Sequence, residues 1–589
     1  MKYNWDLEQI IQISFFDKFT HDFVTKLSIF EELFKNTGKN ISPEEFKQLF
    51  ELYIDLTTDI SKIYSRAFLA EEIDNTDENI KYIKTKAINI YIEYQNKTRI
   101  FINWIKGKKT EHKLKLNYTK GKILFAYKPK LHYYFKRLRD VSKHTLDNKS
   151  EEIIAHKDIT GNQSLLEIRS LIDTEQKYEA IINKKKKKFN TTSELANYFK
   201  DKDRKNRENA YTALYQEYKK NLTKYFSIYQ STVKDWTYEK NLRGFKSNIS
   251  VRNFANDIKD CSVEILLNSC KTNKHIFLDF FELKRRTLGL KNFSRYDIYA
   301  NHGKVEKKYS YDEAVQIVLS AFRNFNLEFY QIAKDFLSSE HIDIKPNDRK
   351  RQGAFCANVN ININPFILLN HTNTVRDVFI LAHELGHAIH YILTQNQTVL
   401  TQDAPLTLAE TASTFSENLI FDYLYNREHD SNIKKVMLFD KISDSYATIL
   451  RQAYFVLFEI EAHEILNKGI LLSDFNNIYL KNLKNQFGKK ISVPNIFKYE
   501  WSYIPHIVHE PFYCYAYPFG QLLALSLYEE YEENGSIFIP KFKRILSTGG
   551  SENPNNLLLR EGFDINKDNF FSHGFRIIDK WVLELKKLL

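Results

Sequence analysis

Apolar residues recur at steps of three and four along most of the chain, which is the pattern of helices that bury one face. The pattern is strong over residues 44–65 and 79–104, and again from Asp203 to about Leu288. Few glycines or prolines interrupt these segments, and the pattern returns after Asn370. The sequence therefore predicts a mainly helical protein.

Residues 351–370 follow a different pattern, with few charges and with apolar residues alternating with asparagine. Val359, Ile361 and Ile363 fall at a period of two, which predicts a half-buried strand. Pro365 follows them and indicates a sheet edge or the end of a hairpin. A strand is therefore expected just before the next helical segment.

Composition and length narrow the class of protein. With 17 glycines and 11 prolines in 589 residues, tight turns are few, which disfavours sandwiches, propellers and disordered low-complexity chains. The length favours two or more domains, or one large multi-lobed unit. The polar, basic stretch from Asn183 to Asp203 is predicted to be an exposed connection. It divides the chain into an N-terminal helical lobe (residues 1–200) and a larger C-terminal domain (residues 201–589).

The formal net charge of +12 is unevenly distributed along the chain. Residues 351–589 hold 22 Lys and Arg against 26 Asp and Glu, so residues 1–350 carry an excess of +16. This excess leaves open a helical nucleic-acid-binding protein whose binding face lies in the first part of the chain. We expect no nucleic acid, because the run Lys184–Lys188 is more typical of a solvated surface.

Cysteine usage and the apolar segments bear on the cellular compartment. The four cysteines are scattered without a Cys-x-x-Cys pair, which disfavours a disulfide scaffold and suits a reducing cytosol. The segment Met1–Phe16 lacks the apolar core of a signal peptide, and no uncharged apolar stretch is long enough to span a bilayer. We therefore expect a cytoplasmic protein without membrane contact.

The strongest chemical motif is His383-Glu384-x-x-His387, in a markedly apolar segment. On a helix, positions i and i+4 share a face, so both imidazoles can bind one Zn²⁺ while Glu384 lies beside a metal-bound water. Thr374 and Asp377 resemble a capping box that begins this helix about two turns earlier. We count Asp377 among the residues that support the ligands. The alternative is a helix whose histidines serve packing alone.

A zinc hydrolase needs a third protein ligand and an open position for water. The His-Glu-x-x-His-x-x-Gly-x-x-His class is excluded because the last position holds Leu393. The segment from His387 to Glu410 is long enough for a loop and a returning helix, and we predict that Glu410 binds the metal. Glu417 lies on the same helix face as Glu410 and is expected to orient a histidine. The alternative, in which Glu417 is an exposed charge on the helix surface, fits the sequence nearly as well. Asp403 is a weaker ligand candidate.

Residues 501–520 combine two histidines with several tyrosines. Peptide hydrolysis at a metal builds an oxyanion, which neutral Tyr or His donors can stabilise. At least half of the tyrosines are expected to serve packing. The residues expected to face a cleft are His506, His509 and Tyr513, followed by Tyr515 and Tyr517. His390, which follows the motif, is interpreted as a core histidine.

Three segments resemble motifs of the oligoendopeptidase F branch of the thimet oligopeptidase family. They are His383-Glu-Leu-Gly-His-Ala-Ile-His390, Ala409-Glu-Thr-Ala-Ser-Thr-Phe-Ser-Glu417 and Tyr513-Cys-Tyr-Ala-Tyr517. Trp5-Asp-Leu-Glu8, Asp203-Arg-Lys-Asn-Arg-Glu-Asn-Ala210 and Arg351-Gln-Gly-Ala-Phe-Cys356 are similar to other family segments. The resemblance thus spans nearly the whole chain.

The resemblance implies a mainly α, two-lobed helical metallopeptidase with a deep central channel and a small β-sheet beside the zinc-binding helix. Residues 201–589 would be the catalytic domain. One Zn²⁺ would be held by His383, His387 and Glu410, with Glu384 as the general base. Such a channel admits short peptides and excludes folded proteins.

The family also implies where a peptide substrate would be held. Gly353, Ala354 and Phe355 would pair with its extended backbone, a form of strand addition. His506 and Tyr513 are the best matches for the catalytic contacts with substrate and oxyanion. The substrate contacts expected beside them are His509, Tyr515 and Tyr517.

The expected activity is zinc-dependent hydrolysis of internal bonds in short oligopeptides. A metallocarboxypeptidase or dipeptidase on a similar scaffold is the first alternative, and the masses of the products would separate the two. The nucleic-acid-binding protein is the second alternative, and it predicts salt-dependent binding without zinc.

Overall fold

A computed structural model describes residues 4–110, 113–303 and 307–589. The described residues are mainly helical with two small sheets, which confirms the predicted fold class. None of their helices is long and apolar enough to cross a bilayer.

The helices that precede Gly303 are α1 (Phe16–Asn36), α2 (Pro43–Ile73), α3 (Glu78–Ile105), α4 (Tyr118–Phe125), α5 (His132–Ser142), α6 (Asn148–Asp158), α7 (Ser164–Thr174), α8 (Thr192–Ala196), α9 (Arg204–Lys220), α10 (Leu222–Leu242), α11 (Asn248–Ala255), α12 (Asp260–Thr272) and α13 (Lys274–Thr287). Those that follow are α14 (Tyr311–Phe325), α15 (Leu327–Leu337), α16 (Val375–Leu393), α17 (Leu406–Ala409), α18 (Thr411–Arg427), α19 (Ser431–Thr448), α20 (Leu450–Leu466), α21 (Leu472–Phe487), α22 (His506–His509), α23 (Ala516–Asn534), α24 (Ile539–Ser547), α25 (Pro554–Arg560) and α26 (Phe570–Leu588). The strands are β1 (Tyr178–Ile182), β2 (Lys185–Phe189), β3 (Ile342–Asp343), β4 (Phe355–Ala357) and β5 (Phe366–Leu368).

The chain forms two compact units, and each is built from three segments. The first unit comprises Met1–His144, Lys307–Leu424 and Glu530–Gly562. The second comprises Thr145–Glu306, Tyr425–Glu529 and Phe563–Leu589. Both units combine segments from either side of residue 200, and the functional division into residues 1–200 and 201–589 stays a prediction.

Helices α1, α2 and α3 of the first unit pack around an aromatic core. Ser42 and Glu45 form a capping box at the start of α2, and Pro43 occupies its first turn, where the missing N–H costs nothing. Phe46, Phe101 and Trp104 are buried between these helices. The helices predicted over residues 44–65 and 79–104 are thereby confirmed.

The three-stranded sheet of the first unit has the order β3-β5-β4, with β3 parallel and β4 antiparallel to β5. The strand predicted around Val359–Ile363 is wrong, because these residues connect β4 to β5. Asn360 explains the error: its carboxamide oxygen accepts from the Asn362 N–H at 2.9 Å, and its amide donates to the Ser61 hydroxyl at 3.1 Å. Such a local asparagine turn competes with strand pairing.

The basic stretch near residue 183 is also more ordered than predicted. Strands β1 and β2 pair as an antiparallel hairpin in the second unit. The two residues between them, Asn183 and Lys184, both have positive φ angles of 52° and 62°, as a two-residue type I′ turn requires. The lysines of β2 are mostly exposed, as predicted for a solvated surface. The start of the stretch predicted as an exposed connection thus forms the second strand of a hairpin.

Candidate metal centre and active site

Helix α16 begins at the capping box predicted from its sequence. Thr374 accepts from the Asp377 N–H at 3.3 Å, while the Asp377 carboxylate accepts from the Thr374 N–H at 2.8 Å. Burial raises the pKa of Asp377, but hydrogen bonds from Thr374 and Thr372 outweigh it and hold the pKa below its usual value. The helix packs on β4, β5 and α14, so the small sheet lies beside the motif helix as expected.

The two histidines of the motif converge from successive turns of α16. The Nε2 atoms of His383 and His387 lie 3.2 Å apart, and the rings meet edge to face. Both side chains remain partly exposed, at 27% and 15% of their full area. Two ring nitrogens presented side by side to an accessible space suit a shared cation better than a packing role.

Glu410 completes a three-residue cluster with these histidines. It occupies the junction between α17 and α18, and its Oε2 atom is 3.3 Å from the Nε2 of each histidine. The ligand atoms of the three residues all lie within 4.8 Å of one another. Ser413 donates a 2.8 Å hydrogen bond to the same Oε2 atom and thereby orients the carboxylate.

Close packing of α16 against α18 brings Glu410 within reach. A Cβ atom added at Gly386 would lie 2.6 Å from the Cα of Ser413 and 2.7 Å from the carbonyl oxygen of Ala412. Only glycine fits at that distance from backbone atoms. The glycine inside the His-Glu-Leu-Gly-His motif therefore has a packing reason that is visible only when both helices are in place.

Glu417 supports His383 from the side opposite the cluster. Its Oε1 atom is 2.6 Å from the Nδ1 of His383, so the imidazole presents Nε2 toward His387 and Glu410. Burial lowers the pKa of His383, but the hydrogen bond and the charge of Glu417, together with the charges of Glu410 and Glu384, outweigh burial and raise the pKa to about 9. A carboxylate behind a histidine in this way is the usual support of a metal ligand.

Glu384 lies beside the histidines and is more deeply buried than they are, with 6% of its surface exposed. Burial raises the pKa of its carboxyl group, although the charges of His383 and His387 oppose the shift. Cys356 of β4 is close enough for the Glu384 charge to act on its thiol, whose pKa is raised mainly by burial. This position suits a carboxyl group that exchanges a proton.

Strand β4 forms one edge of its sheet. The N–H groups of Ile367 and Leu369 donate bonds of 2.8 and 2.7 Å to carbonyls of the β3 segment. The backbone N–H and C=O groups alternate in direction along a strand, so those of Phe366 and Leu368 point toward β4. The register pairs them with Ala357 and Phe355.

The backbone groups of Cys356 therefore point away from the sheet, at its outer edge. The Phe355 backbone is used by β5, so the carbonyl of Ala354, on the other side of the same trans peptide, points outward. Gly353, with φ of 91°, begins this segment, and its carbonyl accepts a 2.7 Å bond from Asn370. Of the three residues expected to pair with a substrate backbone, Ala354 has a carbonyl directed toward this outer edge, and the pairing itself stays a prediction.

The predicted donors of residues 501–520 belong to the second unit. Tyr517 and His506 are joined by a 3.2 Å contact between Oη and Nε2, and the His506 ring is parallel to that of Tyr513 at 6.2 Å. Burial lowers the pKa of His506, which favours its neutral imidazole. His509 is exposed. Their contacts with a substrate stay predictions.

Tyr515 differs from the other tyrosines of this segment. It is fully buried, and its hydroxyl accepts a 2.8 Å bond from the Asn256 amide. This burial argues against a direct substrate contact. His390 is buried as interpreted from sequence, and burial lowers its pKa to about 4. Asp403 lies outside the metal cluster and is bonded to Asn358 at 3.1 Å.

Residues 197–577 match Peptidase family M3. The chain belongs to peptidase family M3. It is 29% identical to an oligoendopeptidase F homolog from Borreliella burgdorferi over 92% of this chain and 91% of the relative. It is also 24% identical to the oligopeptidase PepF of Bacillus subtilis, over 99% of this chain and 87% of that protein.

Solved structures share the fold of this family M3 peptidase. A crystal structure from Chlamydophila abortus has a TM-score of 0.87 at 22% identity, covering 100% of this chain and 98% of its own. The oligoendopeptidase-F of Enterococcus faecium has a TM-score of 0.71 at 19% identity, covering 97% and 98%. As a family M3 peptidase, the protein acts on peptides.

Sequence reasoning misses Ser413 of this M3 peptidase. Its hydroxyl reaches the Glu410 carboxylate because the two residues are three apart at the start of a helix. The spacing Glu-x-x-Ser is readable in the sequence, but a serine among small helix residues carries no distinctive signal. The role of Gly386 is equally hidden, since it depends on the second helix.

Replacing Glu417 by leucine should weaken zinc binding by about 10- to 100-fold, the usual cost of losing a residue that orients a metal-binding histidine. Zinc affinity measured by competition with a chelator gives the readout. Glu417→Gln is the matched control, because its carboxamide oxygen still accepts from Nδ1 of His383, and it should lose less. Equal affinities in all three proteins would contradict the assigned role of Glu417.

Proposed function

We propose that this M3 peptidase is a zinc-dependent endopeptidase that cleaves internal bonds of short peptides. The observation that carries the proposal is the convergence of His383, His387 and Glu410, with Glu384 beside them. Two imidazoles and one carboxylate are a donor set typical of catalytic zinc, which keeps a further position for water or substrate.

The residues present suit this metal in chemistry as well as in number. Glu417 and Ser413 hold His383 and Glu410 from behind, so the donors are oriented without the ion. A bound zinc ion would lower the pKa of a coordinated water and polarise the carbonyl of the scissile bond.

Glu384 would act as the general base and then as the acid. Its carboxylate would take a proton from the attacking water and later deliver it to the leaving amine. The raised pKa that burial gives this group supports the role, because a base that must return its proton works best when its pKa is closer to the working pH.

The free edge of β4 would hold the substrate as an added strand. Backbone groups of Ala354 and Cys356 would pair with the peptide main chain, which gives affinity with little sequence preference. Phe355 would contribute through its position in the strand rather than through its backbone bonds. His506 and Tyr513, with His509 and Tyr517, would supply the donors for substrate and oxyanion.

Mass spectrometry of a mixed pool, from short peptides to a folded protein, tests the proposal. Internal cleavage confined to short peptides, lost after metal chelation and recovered with zinc, is the expected result. Stepwise removal of C-terminal residues would instead favour a carboxypeptidase on the same scaffold. Cleavage that persists without metal would contradict zinc dependence. Action in the cytoplasm stays a prediction.

A further inference from the structure

The turn that precedes Tyr513 has an unusual backbone conformation. Phe512 has φ of 61° and ψ of 8°, in the left-handed region that bulky residues seldom adopt. The other non-glycine residues with positive φ among those described are asparagine, aspartate and lysine. A phenylalanine is kept in such a conformation only when surrounding contacts hold it there.

Two side chains of the second unit supply those contacts through hydrogen bonds to the turn. Glu459 of α20 accepts the Phe512 N–H at 2.8 Å. Arg252 of α11 donates to the Pro511 carbonyl at 3.0 Å and to the Glu510 carboxylate at 2.6 Å. Three consecutive residues of the turn are thereby tied to two different helices.

The Phe512 ring is held as firmly as its backbone. It is 1% exposed and lies 4.5 Å from the ring of His463, which belongs to the same helix as Glu459. Its ring is also 6.4 Å from that of Trp236 on α10. The conformation of the turn is therefore imposed from three helices.

We propose that Glu459 and Arg252 are positioning residues, which hold the left-handed turn at Phe512 and thereby orient Tyr513. The inference rests on the proposed function, in which Tyr513 donates to the substrate. Neither residue touches the reacting atoms. The Tyr513 ring is parallel to that of His506 and meets that of Tyr517 edge to face at 5.3 Å. Release of the turn would therefore disturb all three rings.

Glu459 has no other evident reason to be in the interior. It is fully buried, and its second carboxyl oxygen has no hydrogen-bond partner among the described residues. A buried carboxyl group is costly unless it does something that an apolar residue cannot do. Glu459 does so by accepting the hydrogen bond from the Phe512 N–H. Burial raises the pKa of Glu459 to about 8, so the group is neutral at pH 7 and glutamine is a close replacement.

The test compares Glu459→Leu with Glu459→Gln in the full-length zinc enzyme. Leucine removes the acceptor, so hydrogen exchange of the Phe512 amide should accelerate by about 10-fold, the value of one hydrogen bond. The kcat should fall by about 100-fold, as expected for a misplaced catalytic group, with KM changed far less. Glutamine keeps the acceptor and should remain close to wild type in both measurements.

Glu529→Leu controls for the loss of any buried carboxyl group. Glu529 is 2% exposed and binds Arg576 and His573, away from the turn, so its loss should lower stability without changing kcat. If Glu459→Leu does not fold, Arg252→Met tests the same turn through Pro511 and should also lower kcat. The inference is overturned if exchange at Phe512 or kcat is unchanged in the folded variant.

These outcomes separate the inference from the proposed function. An inactive wild-type enzyme after zinc loading would refute the proposed function, whereas the exchange comparison would still report on the turn. Faster exchange with unchanged kcat would refute the positioning role and leave zinc-dependent peptide hydrolysis intact.

Discussion

Glu384→Gln should lower kcat by about 10³-fold, within the range that general acid–base catalysis contributes. The amide has nearly the same shape as the carboxylate but cannot take a proton from water. His383 and His387 keep their positions, because Glu417 and the packing of α16 hold them independently. Zinc content should therefore remain near one ion per chain. Steady-state cleavage of a fluorogenic peptide and metal analysis of the same sample give both values.

Asp403→Asn is the matched control for this substitution. It makes the same carboxylate-to-amide change on a residue that is bonded to Asn358 and lies outside the cluster. Its activity should stay within about twofold of wild type, as for surface changes away from special features. A Glu384→Gln enzyme with full activity would show that another group serves as the base.

Glu410→Gln should abolish stable zinc binding, with an affinity loss greater than the roughly 100-fold limit for supporting residues. The substitution removes the one negative charge among the three proposed ligands, and it leaves the two imidazoles as the strong donors. Ser413 would still bond to the carboxamide oxygen, so the local structure should persist. Equilibrium dialysis measures the affinity, and circular dichroism checks that the fold is retained.

Activity after zinc loading completes this second test. Because the proposed hydrolysis depends on the ion, the Glu410→Gln enzyme should be inactive at zinc concentrations that saturate wild type. It should regain part of its activity only at much higher concentrations. Ser413→Ala should show a smaller loss in the same assay, since it removes one orienting bond and no ligand. Wild-type affinity in Glu410→Gln would exclude Glu410 as a ligand.

Signals between neighbouring residues predict which elements form the site more reliably than they predict the conformation that each segment adopts. Thr374 and Asp377 predict the start of α16, because a capping box involves residues only three apart. The same kind of reasoning places a strand at Val359–Ile363, where Asn360 instead forms a turn and bonds to Ser61 of a distant helix. A local pattern cannot anticipate such a partner.

The edge of the sheet shows a second limit of sequence reasoning. The sequence presents Gly353-Ala354-Phe355 as a unit. Only the register between β4 and β5 shows that the Phe355 backbone pairs within the sheet, which leaves the Ala354 carbonyl on the outer side. Because Tyr515 is close to Tyr513 in sequence, both are expected to face the cleft. The burial of Tyr515, whose hydroxyl accepts a hydrogen bond from Asn256, distinguishes it from Tyr513.

The sequence by itself determined the helical class, the candidate metal-binding motif on α16, and Glu410 as the candidate third ligand, because each depends on spacing within one or two elements. Tertiary structure alone decided how these groups meet. The contact of Gly386 with α18 and the attachment of Phe512 to Glu459 join residues on separate elements. Their geometry follows from packing between helices, which no periodicity along the chain records.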